Sequence, residues 1–298
     1  MKRRRQLTKN YLKFWGTRGS CAVSGPEYHR FGGNTSCLEV RYGNIRLIID
    51  AGTGIRPLGL SMANDGPLKI DLFLSHTHWD HVIGFPFFEP LYEPGTQITI
   101  WSPAGAGRSC RELFTQLLAP EFFPVRLDEM QSQFDFRTTH QKTPVHLGDL
   151  TLDFHTTQHP GLTHCFKIKT PHQTIGYITD NEILQNYHGP LSEVPPNAYE
   201  PHQSLIDFMK GCHFLIHEAQ YFPEEYLHKT NWGHSSARNA AAFIQRAHPA
   251  EWLVTHHDPA HSDADLERLA EFTKKVLHEQ KISCPVKWIG DGHIVPLK

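Results

Sequence analysis

The sequence has few cysteines and no pattern that would pair or cluster them. Its six cysteines, among 298 residues, are Cys21, Cys37, Cys110, Cys165, Cys212 and Cys284, and no two of them form a Cys-x-x-Cys motif. This spacing argues against a disulfide framework and against a zinc module built from thiolates. We therefore expect a reduced, cytoplasmic protein in which most cysteines pack as small buried hydrophobic side chains.

Long apolar runs and an excess of either charge are also missing. No hydrophobic segment reaches the roughly 18 residues of a membrane-spanning helix, and no apolar signal segment follows the basic run Lys2–Arg5. The 29 lysines and arginines nearly balance the 31 aspartates and glutamates, for a net charge of −2. We expect no membrane contact, and nucleic acid is disfavoured because no basic excess is available to neutralise phosphates. Residues 1–9 are expected to form a flexible basic N-terminus.

Linkers and internal repeats are absent too, so we expect a single domain over residues 1–298. Hydrophobic patterning predicts strands at Cys37–Tyr42, Ile45–Asp50, Ile70–Ser75, Gln97–Trp101, Asp149–His155, His164–Lys169, Gln173–Thr179 and Glu251–Thr255. Helices are predicted at Arg108–Leu118, Ser204–Met209, Ser235–Ala247 and Asp263–His278. Strands that later alternate with helices indicate a layered α/β sandwich with its helices outside.

Histidine is the residue in excess, with 22 copies in the chain. The densest run is His76-Thr77-His78-Trp79-Asp80-His81, directly after the apolar segment Ile70–Ser75. Imidazoles at positions i and i+2 of an extended chain lie on one side, so His76 and His78 are placed to hold one cation. Asp80 and His81 begin the next turn and are placed to face a second cation. Imidazoles and carboxylates without a thiolate suit zinc, manganese or iron; the alternative is a histidine-rich surface loop.

This run resembles the His-x-His-x-Asp-His motif of the metallo-β-lactamase superfamily. The segment Ile49–Gly52 is similar to the aspartate–glycine turn upstream of that motif, and the resemblance covers Phe14 to the C-terminus. It implies an α/β fold, the four-layer αββα metallo-β-lactamase sandwich, with two divalent metal ions, zinc first and manganese as the alternative. The implied first-metal ligands are His76, His78 and His159; the second metal takes Asp80, His81 and His256; Asp180 bridges both.

Three of these assignments have alternatives. His159 stands near His155 and His164, and a single histidine is often structural or solvated. Asp180, which precedes Asn181-Glu182, also suits a turn or a helix cap. The last ligand is either His256 or its neighbour His257, and the Thr-His pair at a strand end favours His256.

Two later segments resemble ribonuclease Z-like phosphodiesterases. They are Leu215–Ala219, which contains a His-Glu-Ala sequence, and Gly233–Ser236, which contains a His-Ser pair. The resemblance implies that Glu218 orients His234 beside the departing phosphate oxygen, where an alkoxide needs a proton or charge stabilisation. The alternative is that Glu218 caps a turn and His234 precedes the helix at Ser235–Ala247.

The segments Phe14–Ser20 and Phe31–Cys37 look like loops of the same phosphodiesterase branch, which includes enzymes acting on cyclic nucleotides. Gly-rich turns expose backbone N–H groups to which a phosphate can bind. The alternative is that both are ordinary tight turns between strands.

Together these features predict an enzyme, a binuclear metal-dependent phosphodiesterase with Asp80, Glu218 and His234 as catalytic residues. The expected nucleophile is a hydroxide bridging the two metals, with Asp80 also accepting its proton. The expected substrate is a small phosphodiester, with a cyclic nucleotide first. The alternative is a ribonuclease Z-like endoribonuclease that processes tRNA 3′ ends; a lactonase or a non-enzymatic sensor on the same fold is less favoured.

The tRNA alternative is weakened by a short spacing. The ribonuclease Z family carries an arm for tRNA between the positions of His159 and Asp180, which here lie 21 residues apart, enough for two strands and a turn. Phe85–Phe88 and Tyr92 either line a base pocket or pack in the core. The polar, Pro-rich segment Glu182–Gln203 is the expected loop at the substrate entrance or at a partner subunit. A homodimer is implied by the resemblance alone.

Overall fold

The computed structural model describes residues 10–103 and 108–298. The basic run Lys2–Arg5, expected to be flexible, lies outside the described residues. Within the described chain, no helix is both long and apolar enough to cross a membrane.

Two seven-stranded sheets form the centre of the fold. The first sheet contains β1 (Tyr11–Gly16), β2 (Cys37–Tyr42), β3 (Ile45–Ile49), β4 (Lys69–Phe73), β5 (Gln97–Pro103), β6 (Gln133–Thr139) and β14 (Ile294–Pro296). The second contains β7 (Val145–Leu147), β8 (Leu150–Thr156), β9 (His164–Lys169), β10 (Thr174–Ile178), β11 (Phe214–Glu218), β12 (Glu251–Thr255) and β13 (Val286–Trp288). Their orders are β14-β1-β2-β3-β4-β5-β6 and β13-β12-β11-β10-β9-β8-β7.

The described helices are α1 (Ile55–Met62), α2 (Trp79–Val82), α3 (Cys110–Leu117), α4 (Gln203–Met209), α5 (Pro223–Tyr226), α6 (Ala237–Ala247) and α7 (Asp263–Glu279). The five longer ones cover the outer faces of the sheets. One buried cluster joins the first sheet to α1 and α3, and another joins the second sheet to α4, α6 and α7. A third, including Phe73, Phe166 and Leu253, fills the space between the sheets. These layers confirm the predicted αββα sandwich.

Most predicted elements are present, with shifts of a few residues at their ends. The Gly43-Asn44 turn joins β2 to β3 in antiparallel register, with Tyr42 opposite Ile45. Helix α6 begins at Ala237, because the Ser236 side chain accepts a hydrogen bond from the Asn239 N–H and so caps it.

Two expectations about local structure need correction, and one open alternative is decided. Residues Phe14–Gly16, expected to belong to a loop, complete β1. Asp50, expected to end a strand, lies just beyond β3 in a left-handed conformation with φ +63°. Of the two alternatives left open for Phe85–Phe88, core packing holds for Phe85 and Phe88, which are fully buried beneath α1, whereas Phe87 is exposed.

The cysteines behave as expected. All six are free; Cys37, Cys110, Cys165 and Cys212 are buried, Cys284 is partly buried, and Cys21 is exposed.

Candidate metal centre

The histidine run begins where β4 ends. His78 has an extended backbone and precedes α2, which starts at Trp79. The extended chain after β4 therefore fixes the positions of His76 and His78. The first turn of α2 fixes those of Asp80 and His81. Asp80 and His81 are buried while Trp79 points to solvent, so a short stretch of chain directs four polar side chains to one place.

The first group of donors contains His76, His78 and His159. One ring nitrogen from each lies within 4.8 Å of the others. His159, which follows β8, places its Nε2 atom 3.0 Å from Nδ1 of His78. Its own Nδ1 lies 3.0 Å from the carbonyl oxygen of Gly233, to which Nδ1–H donates when Nε2 is kept as a metal donor.

The second group contains Asp80, His81, Asp180 and His256, all of them buried. Nε2 of His256 lies 3.2 Å from Oδ2 of Asp80 and 3.3 Å from Nε2 of His81. His257 turns the other way: its Nε2 atom lies 2.7 Å from the carbonyl oxygen of Ile289 and its ring stacks on Trp288. Of the two neighbouring histidines, the structure brings His256 to the centre.

Asp180 lies between the two groups. Its Oδ2 atom is 3.6 Å from Nε2 of His76 and 3.7 Å from Nε2 of His159. Its Oδ1 atom is 3.3 Å from Nε2 of both His81 and His256. Because each carboxylate oxygen faces a different group, the geometry suits the bridging role that the resemblance implies.

The donor set fits two divalent cations. Nε2 of His76 is buried without a hydrogen-bond partner, which costs free energy unless a ligand satisfies it. His76, His78 and His159 would hold one cation, Asp80, His81 and His256 the other, and Asp180 both. Imidazole and carboxylate ligands are suitable for zinc or manganese.

The carboxylates of the centre are held ionised. Burial opposes ionisation of Asp80, but the adjacent His81 and His256 outweigh burial and hold the pKa of Asp80 well below its usual range. For Asp180 the opposing effect of burial is again the largest, and His256, His81 and His76 together hold its pKa well below the usual range. Anionic carboxylates are the form that binds cations.

Asp50 supports the centre from beneath. Its Oδ2 atom accepts hydrogen bonds from Tyr177 Oη and His81 Nδ1, each 2.9 Å away, and its Oδ1 atom accepts from the Ser75 N–H at 2.7 Å. Donation from Nδ1 leaves Nε2 of His81 free to bind a metal. The sequence pattern pointed to the turn at Asp50 but not to this contact.

The Gly-rich loops hold the centre in place. The N–H of Ser20 donates to Oδ2 of Asp80 at 2.8 Å, and the N–H of Gly19 donates to the carbonyl oxygen of His257 at 2.9 Å. In the second segment, the N–H of Asn34 donates to Asp291. A β-carbon at Gly19 would lie 2.5 Å from the His256 ring, so there is no room for a side chain at this position. These N–H groups, expected to face a phosphate, are used within the protein.

Glu218 and His234 form a buried pair beside the second group. Nδ1 of His234 lies 3.2 Å from Oε1 of Glu218, and its ring stacks on His256 with centroids 5.2 Å apart. Burial raises the pKa of Glu218 well above its usual range, and burial lowers the pKa of His234. His234 also lines a cavity of about 500 Å³ with His78, Asp80 and Asp180. The predicted pairing is therefore present in the geometry.

Asn181 and Glu182 connect the parts of the site, and sequence reasoning gave them no role. The N–H of Asn181 donates to Oε1 of Glu218 at 2.8 Å. The buried Glu182 carboxylate accepts from Tyr226 Oη at 2.6 Å and from the Gly233 N–H at 3.0 Å. These partners lie 37 to 51 residues away along the chain, so no local pattern could have found them.

The segment Glu182–Gln203 was expected at the substrate entrance or at a partner subunit. Beyond Glu182 it contains two short 3₁₀ helices, and Leu191 and Tyr199 join the buried cluster that covers α6. The side chains lining the cavity beside the centre come from other segments of the described chain. The segment therefore covers the core of the second sheet.

Sequence comparisons identify the family. The sequence model of the family described as a beta-lactamase superfamily domain matches residues 45–257. Ribonuclease Z of Archaeoglobus fulgidus is 24% identical over an alignment of 307 positions, which covers 91% of this chain and 94% of that protein. Ribonuclease Z of Brevibacillus brevis is 38% identical over 66 residues, 22% of this chain and 21% of that protein. The matches confirm the predicted resemblance.

Solved structures share the fold. The metallo-beta-lactamase fold protein YhfI from Bacillus subtilis superposes with a TM-score of 0.68 at 18% identity, covering 96% of this chain and 98% of its own. A diphosphatase from the PhnP family superposes with a TM-score of 0.64 at 14% identity, covering 97% and 98%. At these identities the likeness shows the fold.

Proposed function

This chain belongs to the metallo-β-lactamase superfamily, and on that premise we propose that it is a two-metal phosphodiesterase acting on a small phosphodiester, with a cyclic nucleotide as the first candidate. The observation that carries the proposal is the buried Glu218–His234 pair, 3.2 Å apart, at the edge of the candidate metal centre. Hydrolysis of a phosphodiester expels an alkoxide, and a positioned imidazole is suited to protonate it.

The two metal ions, when bound, would lower the pKa of an attacking water and withdraw charge from the phosphoryl oxygens. Residues of the chain itself perform the remaining roles. Asp80 accepts the proton of the attacking water at a carboxylate that the Ser20 N–H holds in place. Asp180 keeps the two groups of histidines at a fixed separation through its two oxygens.

His234 is placed to protonate the departing oxygen. Because burial raises the pKa of Glu218, its protonated carboxyl donates to Nδ1 of His234, and Nε2 of the neutral imidazole carries the proton for the leaving group. As Nε2 gives up that proton, Nδ1 takes the proton of Glu218. Stacking against His256 and burial fix the ring before substrate binds. Fixing a donor where charge develops lowers the barrier without reorganisation during the reaction.

The short segment between His159 and Asp180 favours a small substrate. This span is described throughout and contains β9, β10 and their short connecting turn, with no inserted arm. The net charge of −2 gives no basic excess for a long polyanion. Processing of tRNA 3′ ends is the second candidate, because the relative from Archaeoglobus fulgidus that aligns with 91% of this chain is named ribonuclease Z.

Zinc as the metal, with manganese as the alternative, a homodimeric state and a cytoplasmic location are parts of the same proposal. The metal rests on the donor chemistry and the resemblance, the homodimer on the resemblance alone, and the location on the few, unpaired cysteines.

The test is metal analysis of the purified protein followed by a substrate panel of cyclic nucleotides, bis(4-nitrophenyl) phosphate and a precursor tRNA. We expect two divalent ions per chain and hydrolysis of the small diesters. Cleavage of the precursor tRNA without turnover of cyclic nucleotides would favour the second candidate. With both metals bound, inactivity on every substrate would refute the phosphodiesterase proposal.

A further inference from the structure

An uncharged cleft lies beside the candidate metal centre. Its volume is about 520 Å³; Trp79 and Phe87 line one side, and Phe122 and Phe123, which follow α3, line another. The lining residues are apolar apart from Thr77 and Gln116. Pockets of this size and composition, with a few neutral polar groups, typically bind the organic part of a small ligand.

The cleft adjoins the cavity at the metal centre. Thr77 and Trp79 line both spaces, and the second is also lined by the candidate ligands His78, Asp80 and Asp180. A molecule whose phosphate lies among those ligands can therefore extend its organic group past Trp79. This shared lining distinguishes the cleft from an apolar patch that lies away from the site.

Exposed aromatic rings are concentrated here. Among the described residues, seven large hydrophobic side chains are exposed, and three of them line the cleft: Trp79 at 74%, Phe87 at 51% and Phe122 at 80%. Exposed aromatic faces provide stacking surfaces for planar rings. Thr77 adds a hydroxyl and Gln116 an amide N–H₂ group, which an aliphatic chain would leave unused and a nucleobase would pair. The amide oxygen of Gln116 already accepts a hydrogen bond from Arg108 at 2.8 Å.

We propose that the cleft binds a planar aromatic ester group of the substrate, a nucleobase or an aryl ring, while the phosphate lies at the metal centre. The inference rests on the proposed phosphodiesterase function and narrows its substrate class. An uncharged wall is unsuited to a second phosphate, so it favours a diester with one ring-bearing group over a longer polynucleotide.

The kinetic test compares bis(4-nitrophenyl) phosphate with methyl 4-nitrophenyl phosphate. Both release 4-nitrophenolate, so the difference in their kcat/KM values reports on the second ester group. In Phe122→Ala we expect the preference for the diaryl ester to fall roughly tenfold, mainly through KM. Leu60→Ala, which removes an exposed hydrophobic side chain on α1, is the matched control and should keep the preference.

The results that overturn the proposal are distinct from those that overturn the function. An equal loss on both esters in Phe122→Ala excludes the subsite. A change from dimer to monomer in sedimentation of that variant identifies the face as an interface between copies and also excludes it. If the zinc-loaded wild type hydrolyses neither ester and also no cyclic nucleotide or precursor tRNA, the phosphodiesterase function fails, and the binding test below then decides whether the cleft holds a planar ring.

That binding test needs neither metal nor turnover. Adenosine added to the metal-free protein should quench tryptophan fluorescence, because its base would stack on Trp79. Trp79→Phe should remove the quenching, whereas Trp232→Phe, which replaces another exposed tryptophan, should retain it. Absence of quenching in the wild type, or its persistence in Trp79→Phe, would contradict the proposal.

Discussion

Asp50 illustrates how one residue is specified by its contacts. It is fully buried and has a left-handed backbone with φ +63°, a conformation that is costly for most side chains but tolerated by Asp and Asn. His256 shares the feature, with φ +59°. Both follow directly after a strand and both contact His81 or Asp80, so local strain occurs where the site is built.

We predict that Asp50→Asn folds normally but binds zinc roughly 10- to 100-fold more weakly, as expected for loss of an outer partner of a ligand histidine. Asn tolerates the same backbone but presents an amide to Nδ1 of His81 in place of a charged acceptor. Competition with a chelator measures the affinity. The control is Asp71→Asn, because Asp71 accepts a hydrogen bond from Trp101 away from the centre. Unchanged zinc affinity in Asp50→Asn would exclude the positioning role.

Burial also affects the reactivity of the Cys284 thiol. It raises the pKa of Cys284 to about 11, so at pH 8 this partly exposed thiol is almost entirely protonated and unreactive. A raised pKa means that the thiolate fraction grows about tenfold per pH unit until the pH approaches the pKa. Iodoacetamide labelling of Cys284 in a Cys21→Ser variant, followed by mass spectrometry, should therefore accelerate about tenfold from pH 8 to pH 9. A rate independent of pH over this range would be inconsistent with the shifted pKa.

At the scale of elements, the turn after β10 organises three parts of the site. Asp180 lies at the centre, Asn181 donates to Glu218, and Glu182 accepts from the loop that carries Gly233. That loop in turn provides the carbonyl oxygen beside Nδ1 of His159. The turn thereby couples the positions of His159 and His234.

We predict that Glu182→Gln lowers kcat roughly tenfold, because its amide would face the donating Tyr226 hydroxyl or the Gly233 N–H. If Glu182 acts through His234, the losses in Glu182→Gln and His234→Ala should be non-additive in a double-mutant cycle. Glu193→Gln, at an exposed position of a short 3₁₀ helix, is the control. Additive losses would show that Glu182 supports the fold and does not act through His234.

The elements also show what sequence could predict. A buried strand followed by closely spaced ligands is a local pattern, which is why the run from His76 to His81 was sufficient to predict the centre. Buried and half-buried side chains alternate along β1, a strand pattern that the loop resemblance of Phe14–Ser20 does not predict. The three-residue strands β13 and β14 at the sheet edges are specified by pairing with distant strands, which local propensity does not encode.

At the scale of the whole molecule, the candidate centre joins the two sheets. His76 to His81 follow β4 of the first sheet, whereas His159, Asp180 and His256 follow strands of the second. Which of His256 and His257 faces the centre depends on how the sheets pack, and adjacent histidines cannot be distinguished by pattern alone. The superfamily resemblance predicted the architecture; Asn181 and Glu182 needed the structure, because their partners are brought together only by folding.

Metal ions held between the sheets should stabilise the whole fold, because a ligand that binds only the native state raises its stability by mass action. We predict that the melting temperature rises with zinc concentration and falls with a chelator. His256→Ala should lose most of this increase, whereas His228→Ala, at an exposed position, should keep it. A melting temperature that does not respond to zinc would contradict a centre shared by both sheets.

The most direct test of the account is the dependence of the His234→Ala loss on the leaving group. Two diesters are compared on zinc-loaded protein: one expels 4-nitrophenolate, which needs little protonation, and one expels an alkoxide, which needs a proton. We predict a kcat/KM loss on the order of 100-fold for the alkoxide and less than tenfold for 4-nitrophenolate. Equal losses with both leaving groups would contradict the assignment of His234 to the departing oxygen.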